Sequence, residues 1–118
     1  MVGVKMRSYV SRPWGWYQVV SENPVGAVKI LCVKPGERLS LQTHRKRSET
    51  WIPLDDGLEA QIGDELLELV AYNKYIVDVG VQHRLINKAD WEVQVIELIT
   101  GAYDENDISR IEDDYGRS

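Results

Sequence analysis

Short runs of alternating apolar and polar residues, cut by turn formers, dominate the chain. After Arg12-Pro13 comes Trp14-Gly15-Trp16-Tyr17-Gln18-Val19-Val20, an aromatic and β-branched run that predicts a strand. Trp14 and Trp16 around Gly15 are expected to plug one end of a barrel or to sit in a subunit interface. Ser21 to Gly26 is rich in turn residues, Ala27 to Val33 predicts a second strand, and Lys34-Pro35-Gly36 a tight turn. Between Leu39 and His44 the pattern puts Leu39, Leu41 and Thr43 on one face and Ser40, Gln42 and His44 on the other. Further strands are predicted over Glu49 to Leu54, Leu58 to Ile62, Leu66 to Val70, Tyr72 to Val79, His83 to Asn87 and Trp91 to Thr100. Gly63-Asp64 makes the second and third strands of that series, Leu58 to Ile62 and Leu66 to Val70, a hairpin. In the last strand Trp91, Val93, Val95 and Glu97 share a face, and Glu92, Gln94, Ile96 and Leu98 share the other.

Glu65 to Ala71 has some helical propensity, but its length and flanking turns favour a strand. Only the tail, Glu105 to Asp114, reads as helix, with Asp104 as its cap and Ile108 and Ile111 three apart. The alternation of Val2, Val4 and Met6 fits an edge strand or an arm. So many short strands in a row imply an all-β sandwich or barrel with a short C-terminal helical segment. The 118 residues make one domain, with an N-terminal arm over 1–11 and a C-terminal tail over 104–118.

Charge narrows the function. A net charge of −5 argues against nucleic acid as the main partner. The basic residues are uneven: Arg45, Lys46 and Arg47 stand together, whereas Asp104 to Asp114 is acidic. That layout suits a small anionic ligand, although a solvated basic turn accounts for the cluster equally well. No apolar run approaches the 18 or so residues of a membrane span, and Met1 to Val10 has no secretory apolar core, so a cytoplasmic protein is expected. The single cysteine, Cys32, lies among Ile30, Leu31 and Val33 and is expected to be a buried small hydrophobe.

The chain has two histidines, His44 and His83. An amide oxygen (Gln42), an imidazole (His44) and a carboxylate (Glu49) fall within eight residues, and His83 supplies a second imidazole from a later strand. These are the ligand types of a divalent metal site. The spacing is informative: Gly36, five residues, Gln42, one residue, His44, four residues, Glu49, then Gly57 at the following turn. It resembles the first motif of the cupin family, with Gln42 where a first histidine is usual. Gly80, His83 and Asn87 resemble the second motif, with Asp78 where a proline is usual. The resemblance implies a cupin-type double-stranded β-helix, a jelly-roll barrel.

The likeness extends further. Pro35-Gly36-Glu37-Arg38-Leu39-Ser40-Leu41-Gln42, then His44, Arg47, Glu49 and Trp51, resemble the cupin domain of type II mannose-6-phosphate isomerases. So do Arg12-Pro13-Trp14-Gly15 and the ending Asp107-Ile108, Arg110, Glu112-Asp113, Tyr115-Gly116-Arg117. In bacteria that domain usually follows a mannose-1-phosphate guanylyltransferase half. These 118 residues contain no glycine-rich nucleotide loop, and guanylyl transfer is not expected of them. The family's histidines at two positions are Lys46 and Thr50 here.

The resemblance implies interconversion of mannose 6-phosphate and fructose 6-phosphate. A metal held by Gln42, His44, Glu49 and His83 would stabilise the charge that grows on oxygen in the enediolate. Zinc tolerates two nitrogens and two oxygens; without a thiolate, manganese, iron, nickel or cobalt suit the set as well. Arg47 matches an arginine the family relies on, to hold phosphate or to stabilise the enediolate. Lys46, Glu97 and a metal-bound hydroxide are the candidates for the proton acceptor. If the strand continues, side chains alternate and only one of Lys46 and Arg47 faces the cavity. Arg12, Lys29, Arg84 and Arg117 are further candidates to bind the phosphate. A homodimer is expected from the family and from the apolar strand Trp91 to Thr100. Two other readings use the same residues: a cupin that binds metal or sugar without catalysis, and a non-haem iron oxygenase with two histidines and one carboxylate.

Overall fold

The structure, a computed structural model, describes residues 9–117. The expected alternation at Val2, Val4 and Met6 lies outside the described residues. Eleven strands form: β1 (Val10–Arg12), β2 (Gly15–Asn23), β3 (Gly26–Val33), β4 (Leu41–Thr43), β5 (Arg47–Pro53), β6 (Leu58–Ile62), β7 (Glu65–Glu68), β8 (Tyr75–Val77), β9 (His83–Asn87), β10 (Val93–Gly101) and β11 (Ser109–Glu112). They make a six-stranded sheet, β1-β2-β3-β10-β5-β8, and a five-stranded sheet, β11-β4-β9-β6-β7. All pairings are antiparallel. This is the double-stranded β-helix that the resemblance implies. No helix of the described residues is long and apolar enough to cross a membrane.

The period of two does the sorting. Along β3 and β10 the inward residues Leu31, Val33, Val93 and Val95 are buried, and Trp51, Leu58 and Leu85 join them between the sheets. Full burial of such side chains contributes about 1.5–3 kcal/mol each. Trp14 belongs to this core, whereas Trp16 turns outward against the Tyr9 ring, with centroids 4.6 Å apart. Glycine between them is obligatory: a Cβ on Gly15 would lie 1.9 Å from the Cys32 carbonyl oxygen. Gly101 plays the same part where β10 meets β5, at φ 112° and with a would-be Cβ 2.4 Å from Lys46 O.

Several expectations need adjusting. The ligand strand is shorter than Leu39 to His44: β4 covers only Leu41–Thr43, although the Leu39 amide ahead of it donates to Leu85 O. Likewise β8 is shorter than Tyr72 to Val79, since Tyr72 sits in a turn at φ 67°. Trp91 is not an inward strand residue; it is 51% exposed, ahead of β10. Its carbonyl accepts from Asn87 Nδ2 at 2.8 Å, which holds the turn before β10 begins.

The tail is the main correction: the expected helix over Glu105 to Asp114 is absent, and the segment carries β11. Asp104 does cap, accepting from the Asn106 amide at 2.9 Å, but only a single turn follows. The Asp107 carboxylate then accepts from the amides of Arg45 and Lys46, and the chain extends along β4 with Arg110 opposite Gln42. Tertiary pairing overrides a weak local propensity here.

Candidate metal centre

Three ligand types converge from both sheets. Glu49 is central in β5 of the six-stranded sheet, and His83 opens β9 of the five-stranded sheet. His44 lies just past β4, and Gln42 pairs with His83 in register. His44 Nε2 is 3.3 Å from Glu49 Oε2, and His83 Nε2 is 3.3 Å from Glu49 Oε1. The imidazole centroids are 5.0 Å apart, and all three residues are at most 4% exposed.

The imidazoles are held from behind. His44 Nδ1 donates to the Asp107 carbonyl at 2.6 Å, and His83 Nδ1 to the Val81 carbonyl at 2.9 Å. A carbonyl can only accept, so each Nδ1 carries a proton and each Nε2 faces Glu49. His83 Nε2 is buried and makes no hydrogen bond. Ligands of one ion at about 2.0–2.2 Å stand roughly 3.0–3.4 Å from each other, so the 3.3 Å spacings fit a divalent cation. Gln42 lines the same cavity. Two nitrogens and carboxylate oxygen without thiolate leave the choice among zinc and its neighbours open.

Charge around the centre is balanced by side chains. Arg47 grips Glu49 Oε2 through Nε at 3.1 Å and Nη2 at 2.8 Å, and Nη2 also lies 3.1 Å from His44 Nε2. Burial pushes the Glu49 carboxyl up, but the imidazoles of His44 and His83 facing it, and the charge His83 carries when protonated, outweigh burial and hold the group well below 4.5. Burial pushes His83 down, yet the Glu49 carboxylate beside it leaves it above its ordinary value. Glu97 is buried behind the centre, where it accepts from Trp51 Nε1 at 3.1 Å and has Lys29 Nζ 3.7 Å away. Burial and the charge of Glu49 push Glu97 up to about 7, against the pull of Lys29. Lys29 also reaches Glu105 at 3.6 Å and lies 4.1 Å from the Tyr17 ring centre.

One cavity gathers nearly all the residues that the sequence points to. Gln42, His44, Glu49 and His83 line it, with Arg47, Glu97, Lys29, Arg12, Arg84 and Arg117. Lys46 does not: it is exposed and lies outside the cavity, because alternation after the turn sends Arg47 inward and Lys46 outward. Thr50 likewise falls between the inward residues Glu49 and Trp51 and stays out of the cavity. Of the mouth cations, Arg117 is paired with Asp113 at 2.9 Å and Arg84 with Glu112 at 3.0 Å. Arg12 bonds only to Ser11 O and the Tyr17 hydroxyl among the described residues. Glu105, Ile108 and Arg110 also line the cavity and are not expected from the sequence. Reading the tail with a period of two places Ile108 and Arg110 on one face, whereas the helical reading hides it. Cys32 is buried as expected; burial and the neighbouring Glu92 push its thiol up to about 11.

Comparison with known proteins identifies the family of this chain. The family model described as Mannose-6-phosphate isomerase C-terminal matches residues 2–113. The xanthan biosynthesis protein XanB of Xanthomonas campestris pv. campestris (strain B100) is 42% identical over 110 residues, which are 92% of this chain and 24% of XanB. The mannose-1-phosphate guanylyltransferase ManC of Salmonella typhimurium (strain LT2) is 35% identical over 113 residues, 95% of this chain and 24% of ManC. This chain therefore spans about a quarter of the length of these curated relatives. The capsular polysaccharide assembling protein CapF of Staphylococcus aureus superposes with a TM-score of 0.79 at 19% identity, over 92% of this chain and 32% of CapF, which shows the shared fold. With a family match over nearly its whole length, and a barrel that brings His44, Glu49 and His83 together, this chain belongs to the mannose-6-phosphate isomerase C-terminal family, a cupin branch related to sugar-phosphate isomerases.

Proposed function

We propose that the cavity isomerises a sugar phosphate, with mannose 6-phosphate and fructose 6-phosphate as the pair, around a divalent cation, zinc first among those that suit. The observation that carries the reading is the 3.3 Å approach of both Nε2 atoms to the two oxygens of one carboxylate, in a cavity lined by arginines. His44, Glu49 and His83 would hold the ion with Gln42, and the ion would supply Lewis-acid stabilisation of charge on the substrate oxygens. Glu97 is the proton acceptor in this reading: its carboxylate takes the proton from C2 and returns it to C1, with Lys29 countering the charge. Arg47 donates to the oxygen on which charge grows. Arg12 holds the phosphate, since it has no acidic partner among the described residues; Arg117 and Arg84 border the same mouth. Because Lys46 and Thr50 lie outside the cavity, their difference from the family's histidines gives no support to a non-catalytic binder. The basic lining favours a phosphorylated substrate over the oxygenase reading of the same triad. Such a substrate implies a cytoplasmic setting.

The test uses the purified chain, loaded with zinc or manganese, and mannose 6-phosphate followed by proton NMR. Fructose 6-phosphate should appear, and His44→Ala and His83→Ala should each lose stoichiometric metal. No turnover by folded, metal-loaded protein would end the isomerase reading, and full metal retention by either variant would end the ligand assignment.

The partner in this reading is a second copy. On the outer face of the six-stranded sheet, Ile96 lies between Ile30 and Ile52, and Leu98 between Val28 and Thr50, with Ile76 exposed beyond. None of these residues belongs to the packed interior, and no outward position of β3, β10 or β5 is charged. An antiparallel sheet with one wet face ordinarily alternates apolar inside with polar outside. Six strands of up to nine residues offer a face of roughly 700 Å², close to the ~800 Å² that each partner gives a standard interface. An uncharged face matches itself, which suits a two-fold homodimer.

A further inference from the structure

We infer that Asp107 is a positioning residue for the metal centre, anchoring the C-terminal strap so that its own carbonyl sets the orientation and tautomer of His44. The inference rests on the metal reading above. Asp107 makes three bonds to three consecutive residues. Its Oδ1 accepts from the Arg45 amide at 2.9 Å, its Oδ2 from the Lys46 amide at 3.0 Å, and its carbonyl from His44 Nδ1 at 2.6 Å. Both carboxylate oxygens are thereby committed to the turn that follows the ligand, and the carbonyl is fixed relative to that turn.

The two imidazoles differ in this respect. His83 is oriented by Val81, two residues away on its own approach to β9. His44 is oriented by a residue 63 positions distant. Correct presentation of His44 Nε2 therefore depends on the segment that leads into the edge strand β11. Partners behind a ligating imidazole fix its tautomer and raise its basicity. The same strap carries Ile108 and Arg110 to the cavity wall.

The experiment uses the full chain and two variants, Asp107→Ala and Asp107→Asn, the latter keeping one acceptor oxygen. Zinc affinity is read by competition with a chromophoric chelator, and the imidazole tautomers by ¹⁵N NMR of metal-free protein. Asp107→Ala should bind zinc about 10–100-fold more weakly, with Asp107→Asn between it and the parent. In the same variant His44 should lose its single Nδ1-protonated form, while His83 keeps its own. A structural role alone would lower the melting temperature and leave both readouts at parental values, and that result overturns the inference. If the parent binds no zinc, the metal reading fails, and the His44 tautomer alone decides whether Asp107 positions it.

Discussion

Arg47 Nη2 lies 2.8 Å from Glu49 Oε2 and, at 3.1 Å, faces the only lone pair that His44 Nε2 has to offer. A permanent cation therefore already neutralises the carboxylate on which a metal would sit. The guanidinium and the ion compete for the same nitrogen, and like charges repel across a buried site.

From this competition follows an uncommon pairing of effects for Arg47→Met. Zinc affinity, measured by chelator competition, should rise by roughly tenfold or more as the rival cation is removed. Isomerase turnover should fall by about 10²–10³, as on loss of a donor to a developing oxyanion. The metal-free variant should be about 3–5 kcal/mol less stable in urea, because buried Glu49 loses the guanidinium paired with it. Weaker zinc binding by this variant would contradict the competition.

Glu97 gives the chelator-treated protein a definite pH response. Its pKa is about 7 in the fold against an ordinary 4.5, so between those values the native state binds more protons than the unfolded one. Stability then falls as pH rises through this window. His83, raised above its ordinary 6.5, acts with the same sign at the upper end, whereas the lowered Glu49 acts oppositely and only as pH drops below 4.5. Glu97→Gln should remove the largest part of the slope and leave metal-free protein more stable than the parent at pH 8, by about 1–3 kcal/mol. Urea midpoints at pH 5 and pH 8 measure it; an unchanged slope would refute the assignment.

The uncharged outer sheet face makes Ile96 the centre of the proposed dimer contact, flanked in register by Ile30 and Ile52. Ile96→Glu places two like charges against each other across the two-fold axis. Sedimentation equilibrium should show a dimer for the parent and a monomer for the variant, with the fold intact by circular dichroism. A monomeric parent would refute the dimer contact.

How far the chain disclosed itself depends on whether a signal is local. Strand alternation is local, so β3, β6 and β9 lie within a residue of expectation, and Arg47 and Lys46 separate inward and outward as alternation requires. Motif spacing carries the likeness through which His44, Glu49 and His83 are identified, and the fold brings them together. Asn87, at the end of the second motif, has a different part: it bonds to Val33 O, Trp91 O and the Ala89 amide, and so fixes a turn. What stays hidden is non-local. Asp104 and the three-residue spacing of Ile108 and Ile111 genuinely favour a helical turn, and only the distant amides of Arg45 and Lys46 draw the segment straight. Trp91 misleads for a similar reason, since its place is set by Asn87 rather than by the pattern of its neighbours.

The pairing of β11 with β4 joins stretches of chain made far apart in time. During synthesis, Gln42, His44, Glu49 and His83 all leave the ribosome before Asp107 and Arg110 do. Synthesis thus passes through a stage in which all four candidate ligands are made and the wall that orients His44 is not. In the proposed reading, His44 takes its final orientation only once that wall has docked, after every candidate ligand is already made.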